Sequence, residues 1–158
     1  MMNITMTTNS ILAEENLIVP ALVSHLQKFY EKLDRFWLNV EKTLGKRPCN
    51  RIQLSFTTAI VEIASNIIRH AYPIELPVGY LCLRLRLYDD YYEALLLDKG
   101  IMFTPPPIQP LVSSQVNVWD LPESGFGLHI ARSSVDKLDY SRHSDGTNQW
   151  QLIKQMKR

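Results

Sequence analysis

Ile52-Gln53-Leu54-Ser55-Phe56-Thr57-Thr58-Ala59-Ile60-Val61-Glu62-Ile63-Ala64-Ser65-Asn66-Ile67-Ile68-Arg69-His70-Ala71-Tyr72 is the stretch from which the rest of the chain can be read. Ile52, Phe56, Ala59, Ile60, Ile63 and Ile67 recur at helical spacing, and Pro73 stops the pattern. Val61, Ala64 and Ile68 widen the apolar surface, which predicts a helix mostly buried against a sheet. Glu62 and Asn66 then share one face of an otherwise apolar element. A carboxylate and an amide in such a place are costly without partners.

Downstream, Leu81, Leu83, Leu85 and Leu87 alternate with Cys82, Arg84 and Arg86, a strand with one buried face. Asp89-Asp90 makes a turn, and Tyr91 to Leu97 returns as a second strand ending in Asp98-Lys99-Gly100. Residues 104–124 are different: Pro105, Pro106, Pro107, Pro110 and Pro122 crowd a stretch with little periodicity. A long structureless run inside a domain usually means a lid or a disordered segment. Gly125-Phe126-Gly127 leads into a short helix, Leu128 to Val135. Leu138 to His143 reads as a strand, Asp145-Gly146 as a hairpin turn, and Trp150 to Met156 as the last strand.

Upstream, Asn3 to Thr8 alternates like an edge strand. From Glu14 to Leu33, apolar residues at Leu17, Ala21, Leu22, Leu26 and Phe29 suit an amphipathic helix, with Pro20 near its first turn. Gly45 to Asn50 is a polar join. The order strand, helix, helix, strand, strand, lid, helix, strand, strand predicts one mixed β-sheet with helices on one face, a two-layer α/β sandwich.

With 158 residues, 46% hydrophobic and 21% charged, the chain is expected to be one soluble domain with a substantial core. A net charge of +1 supplies no electrostatic case for nucleic acid or an anionic membrane as main partner. Cys49 and Cys82 are too few for a disulfide framework and lack metal-type spacing. The longest apolar runs fall far short of the roughly 20 residues of a membrane span. MMNITMTTNS has no basic region before an apolar run, so no secretory signal is expected and the location is read as cytoplasmic.

Three separated features call for a common explanation: Glu62-x-x-x-Asn66 with Arg69-His70, Asp98-x-Gly100 at a strand end, and Gly125-x-Gly127 opening a helix. Alone, each has an ordinary reading as well as a functional one. A buried Asn is more often a bonded core residue than a metal ligand. Asp-x-Gly is often only a turn. Gly-x-Gly before a helix offers N–H groups to an anion, or only a backbone shape.

In this order the features resemble the anti-sigma-factor serine/threonine kinases, within the wider family sharing the ATP-binding fold of histidine kinases, DNA gyrase and Hsp90-type chaperones. Four boxes carry the resemblance: Glu62 to Tyr72, Leu97 to Phe103, Ser124 to Ile130, and Asp145-Gly146-Thr147-Asn148. The His-Ala-Tyr ending of the first box is similar to the anti-sigma branch. The resemblance implies a Bergerat-type ATP-binding fold with ATP and Mg²⁺ as cofactors. Asn66 would coordinate the Mg²⁺ through its amide oxygen, which suits a hard cation that keeps several waters. Glu62 would be the general base. Asp98 would accept from the adenine amine, Gly100 would let the backbone approach the base, and Thr147 would bond near the same edge. Gly125, Phe126, Gly127 and Leu128 would present N–H groups to the phosphates, beneath a lid at about 104–124. Arg69 is either a phosphate partner or a solvated charge, and His70 either lines the site or interacts with the helix dipole.

By the same resemblance the partners are a sigma factor and an anti-anti-sigma STAS-domain protein phosphorylated on serine, with a homodimer in addition. The sheet face of Tyr80, Cys82, Arg84 and Arg86 is a candidate for contact. Two features depart from the pattern: Met102 replaces a glycine, and Thr104 stands where an acidic residue is common. Residues 104–124 also contain no Lys or Arg. Phosphoryl transfer relies on cations, which would have to be Mg²⁺ together with Arg69, Lys99, Arg132 or a residue from a partner. The competing function is therefore a non-catalytic, nucleotide-gated regulatory binding protein. A histidine-kinase module or a gyrase-like ATPase fits less well, because no room remains for their further domains.

Overall fold

The computed structural model describes residues 9–104 and 126–156. Five strands form one sheet: β1 (Ala13–Pro20), β2 (Tyr80–Leu87), β3 (Tyr91–Asp98), β4 (Lys137–Arg142) and β5 (Asn148–Gln155). Their order is β1-β2-β3-β5-β4, and every neighbouring pair is antiparallel. This corrects the expected mixed sheet. β3 and β4 point the same way, as a crossover through a helix requires. The hairpin after β4 inserts β5 between them, so no parallel pair forms. Gly146 sits in that hairpin at φ 85°, a left-handed conformation that glycine adopts without strain.

The register stacks inward-facing residues in rows across the sheet. Leu17, Leu83, Leu96, Trp150 and Tyr140 form one row, and Leu85, Ala94, Leu152 and Leu138 continue the next. The row at the end of the sheet reads Val19, Leu81, Asp98, Asn148, Arg142. An apolar face thus turns polar at one end of three neighbouring strands. The opposite face carries a chain of polar contacts, with Arg86 Nε 2.7 Å from Glu14 Oε2 and Gln151 donating to Glu93 at 2.8 Å.

The helices cover the inner face. α1 (Leu26–Leu44) buries Phe29, Leu33, Phe36, Trp37 and Val40, and ends at Gly45 with φ 69°. α2 (Asn50–His70) buries Phe56, Ala59, Ile60, Ile63, Ala64 and Ile67, the stripe expected from its spacing. Trp37 Nε1 donates to Thr57 Oγ1 at 3.2 Å and ties the two helices together. α3 (Phe126–Ser134) packs on α2 and buries Ala131.

The start of the chain corrects a second expectation. The span read as one helix from Glu14 to Leu33 is strand β1, a single 3-10 turn at Val23–His25, and only then α1. Pro20 ends the strand rather than beginning a helix. Glu15 interrupts the apolar alternation of β1 because it pairs with Lys32 of α1 at 3.3 Å. The edge strand read at Asn3 to Thr8 lies outside the described residues, as does the proposed lid apart from Thr104. No helix among the described residues is long and apolar enough to cross a membrane.

Candidate functional site

The polar end of the sheet and the last turn of α2 enclose a cavity of about 320 Å³. Such a volume lies at the small end of ligand pockets, typically about 300–1,000 Å³. Asn66, Ile67, His70 and Ala71 of α2 form one wall, Asp98 and Asn148 the floor, and Ile101 to Thr104, Leu128, Tyr140 and Trp150 the rest. The apolar members suit a flat ring, and of the polar ones Asp98, Asn148 and Tyr140 are held by hydrogen bonds to one another and to the loop after β3.

Asp98 is 4% exposed and Asn148 2%. Asp98 Oδ1 accepts from the Gly100 amide at 2.8 Å and from Asn148 Nδ2 at 2.8 Å. Both bonds end on Oδ1, so Oδ2 has no partner among the described residues. Burial pushes the Asp98 carboxyl above the ordinary aspartate value, while the bonds from Asn148 and Gly100 and the Arg142 charge pull it back. Asn148 Nδ2 also lies 3.2 Å from the Gly100 carbonyl and 3.0 Å from that of Ile101. Asn148 Oδ1 accepts from the Tyr140 hydroxyl at 2.6 Å and from Arg142 Nη1 at 2.8 Å. The same hydroxyl accepts from the Phe103 amide at 3.0 Å, which ties the loop after β3 to β4.

Two glycines set the helix positions. A Cβ on Gly100 would overlap the carbonyl of Ala71, and the Ile101 amide donates to that carbonyl at 2.8 Å. The close approach that glycine permits at 100 is therefore to the end of α2. At Gly127, in the first turn of α3, a Cβ would stand 2.6 Å from Glu62 Oε2 and 3.5 Å from Asn66 Oδ1. Glu62 and Asn66 are half-buried, and neither side chain has a protein hydrogen-bond partner among the described residues. Tyr72, just beyond α2, takes the Lys99 amide at 3.0 Å and donates to the Tyr80 carbonyl at 3.1 Å. Burial raises its hydroxyl above the ordinary tyrosine value.

The structure thus gathers Asn66, His70, Asp98 and Leu128 around the cavity and sets Glu62 and Gly127 beside Asn66. Phe126 and Arg69 are exposed and do not line it, and Gly125 lies outside the described residues. Thr147 does not line it either. Its amide donates to Asp145 at 2.9 Å and its hydroxyl serves the same carboxylate, which holds Asp145 below the usual aspartate range. The residue that reaches Asp98 is Asn148, one position on. Asn148, Tyr140 and Arg142 were missed as site residues. The available signal was a polar residue in phase with Trp150 and Leu152 on the buried face of a strand. Among the described residues no three His, Cys, Asp or Glu side chains converge into a metal cage. A Mg²⁺ held by one amide oxygen, ligand phosphates and water needs none.

A family model for the histidine kinase-like ATPase domain matches residues 21–154, and the chain belongs to that family. It is similar to the Serine-protein kinase RsbW of Bacillus mycoides (strain KBAB4) and of Bacillus cereus (strain G9842), at 32% identity over 91 residues in each case. These matches cover 56% of this chain and 55% of the relatives, so the chain spans about half the length of the curated relatives it matches. The resemblance drawn from the four boxes holds, as does the α/β sandwich with an ATPase-type fold.

Proposed function

We propose that the chain binds ATP with Mg²⁺ in the cavity beneath α2 and acts as a serine-protein kinase of the anti-sigma type. One observation supports the nucleotide reading: Asp98 lines the cavity, is buried, and is anchored through Oδ1 only, which leaves Oδ2 without a partner among the described residues. A buried acceptor in a flat apolar slot suits a base with an exocyclic amine. Asn66 would hold the cation, and the α3 amides from Gly127 onward would receive phosphate oxygens at a helix start. Mg²⁺ supplies charge neutralisation on the phosphoryl group being transferred. Glu62, packed against Gly127 and one turn from Asn66, is positioned to accept a proton from an incoming hydroxyl. The names of the Bacillus relatives support serine as the acceptor. By the same likeness, the acceptor protein would be an anti-anti-sigma STAS-domain protein and the sequestered partner a sigma factor. A homodimer and a cytoplasmic location belong to the same reading.

The absence of Lys and Arg from residues 104–124 favours a second reading, a nucleotide-gated binding protein without transfer activity. A time course with radiolabelled ATP and the cognate STAS protein separates the two. Steady phosphoserine formation that is lost in Glu62→Ala supports the kinase. Nucleotide binding with no phosphoprotein supports the second reading.

A further inference from the structure

Where α1 and α2 lie side by side, the surface opens into a second cavity of about 280 Å³. Asp34, Trp37, Leu38 and Glu41 of α1 line it together with Gln53 of α2, and Arg47 of the connecting turn completes it. It borders the side of α2 on which Thr57 bonds to Trp37, whereas Glu62 and Asn66 face α3. Asp34, Leu38 and Glu41 fall at i, i+4 and i+7 and therefore share one face of α1. Lys28, Arg35 and Lys42 form a separate stripe one residue further round, and Lys32 is engaged with Glu15. Among the described residues neither Asp34 nor Glu41 has an ion pair, and Arg47 has none either, although all three line one cavity. Gln53 Nε2 donates to the Pro48 carbonyl at 2.7 Å, so its Oε1 is the end left to accept. The Trp37 N–H is spent on Thr57, so the indole offers only apolar surface. Leu38 is 60% exposed, and Leu54, next to Gln53, is 70% exposed. A solitary exposed leucine is ordinary. Here the leucines stand on both helices that form a cavity whose charged groups lack partners.

We propose that this groove docks a helix of a partner protein, with an arginine of that helix inserted between Asp34 and Glu41 and flanking apolar residues laid over Leu38 and Leu54. Two carboxylates against one guanidinium give the lining a net negative charge, so the complementary group is a cation on an apolar stem. Arginine suits it better than lysine. Its planar head spreads five donors over acceptors on both helices, while its stem lies along Trp37 and Leu38. A helix presents such a residue with leucines one turn away on the same face, the usual way a groove between two helices is filled. Arg47 repels a second cation, which limits the cavity to one arginine and disfavours a polybasic tract. A second copy of this chain fits poorly, because a two-fold interface sets the same patch on itself and would bring the Asp34 and Glu41 stripes together. The docking is independent of the nucleotide reading and uses no residue assigned to that site.

The test is an NMR titration of the isotope-labelled full chain with a capped, alanine-based helical peptide carrying one arginine and leucines one turn to either side. The same peptide with glutamine in place of the arginine is the control. The arginine peptide is expected to bind saturably with a Kd below about 1 mM, and to weaken as salt rises. It should move the Trp37 indole N–H and the Leu38 and Leu54 methyl signals. The glutamine peptide is expected to bind about tenfold or more weakly. Asp34→Asn combined with Glu41→Gln, isosteric changes that bury no new group, should reduce arginine-peptide binding by the same factor and leave the glutamine peptide unaffected. Leu54→Ser, at an exposed position, should weaken both peptides. Equal binding of the two peptides, arginine-peptide binding retained in the Asp34 and Glu41 variant, or no response at the groove signals overturns the proposal. Broadening of those signals with protein concentration alone assigns the groove to a second copy and overturns it as well.

Discussion

Replacing Gly127 with alanine separates the packing of α3 on α2 from the chemistry at their contact. The added Cβ would stand 2.6 Å from Glu62 Oε2, closer than side-chain atoms approach, yet only 3.5 Å from Asn66 Oδ1, an ordinary contact. The obstructing atom is the tip of a flexible side chain, so Glu62 turns away and the helices stay where they are. Forcing that rotamer costs roughly 0.5–1.5 kcal/mol. Alanine in place of glycine within a helix returns up to about 1 kcal/mol. The net change in unfolding free energy therefore lies between a gain of about 0.5 and a loss of about 1.5 kcal/mol, and the melting temperature falls by no more than about 6 °C for a chain of this size. Function does not balance in this way. With Glu62 displaced, serine phosphorylation of the cognate STAS protein should fall by about 100-fold or more, the contribution of a positioned general base. Thermal melts and a phosphorylation time course on the same preparation provide both numbers. A Gly127→Ala protein with a wild-type melt and wild-type transfer would refute the assignment of Glu62, because the carboxylate would then be dispensable where it stands. A loss of more than about 3 kcal/mol would refute the view that only a side chain gives way.

Gly100→Ala has the opposite profile, since the obstruction is the Ala71 backbone, and it should lower unfolding stability by about 1–3 kcal/mol in a urea melt. Asp98→Asn keeps an oxygen for the Gly100 and Asn148 donors and removes the buried charge; ATP affinity should drop by about tenfold or more by calorimetry, with no loss of melting temperature. The pH dependence follows from the direction of the Asp98 shift. Its folded-state pKa is raised, so between the unfolded and folded values the folded protein binds more protons, and this group's contribution to stability falls as pH rises through that window. Melting temperatures of wild type and Asp98→Asn measured across acid pH should converge at the acid end and separate, in favour of the variant, above the window. Glu14 shifts the other way, held below its usual value by bonds from Asn16 and Arg86; the small stability this exposed pair adds is present above the ordinary glutamate range and fades as pH falls.

The parts of the fold that were legible in the sequence are those where one periodicity dominates. α2 carries six inward apolar residues without interruption, and β2 alternates four leucines with polar residues, so no competing pattern exists for either. β1 was misread because Leu17, Ala21 and Leu22 fall at helical spacing while Glu15, which belongs to its inner face, is polar for the sake of Lys32. Strand order depends on which edge the β4–β5 hairpin enters, and no local residue pattern records that choice. The candidate site divides along the same line. Glu62, Asn66 and Asp98 stand out as polar residues where apolar ones are due. The contact of Asn148 with Asp98 exists only through the β3–β5 register, which places the two opposite each other. Thr147 had the motif, but its donors are spent on Asp145.

The most direct test of the nucleotide site is calorimetric titration of ATP into the wild-type chain and into Asn66→Ala, each with and without Mg²⁺. The account predicts binding to wild type that strengthens with Mg²⁺, and residual, Mg²⁺-insensitive binding to the variant. Absence of heat from ATP and ADP in the folded wild type, or equal Mg²⁺ dependence in both proteins, would contradict it.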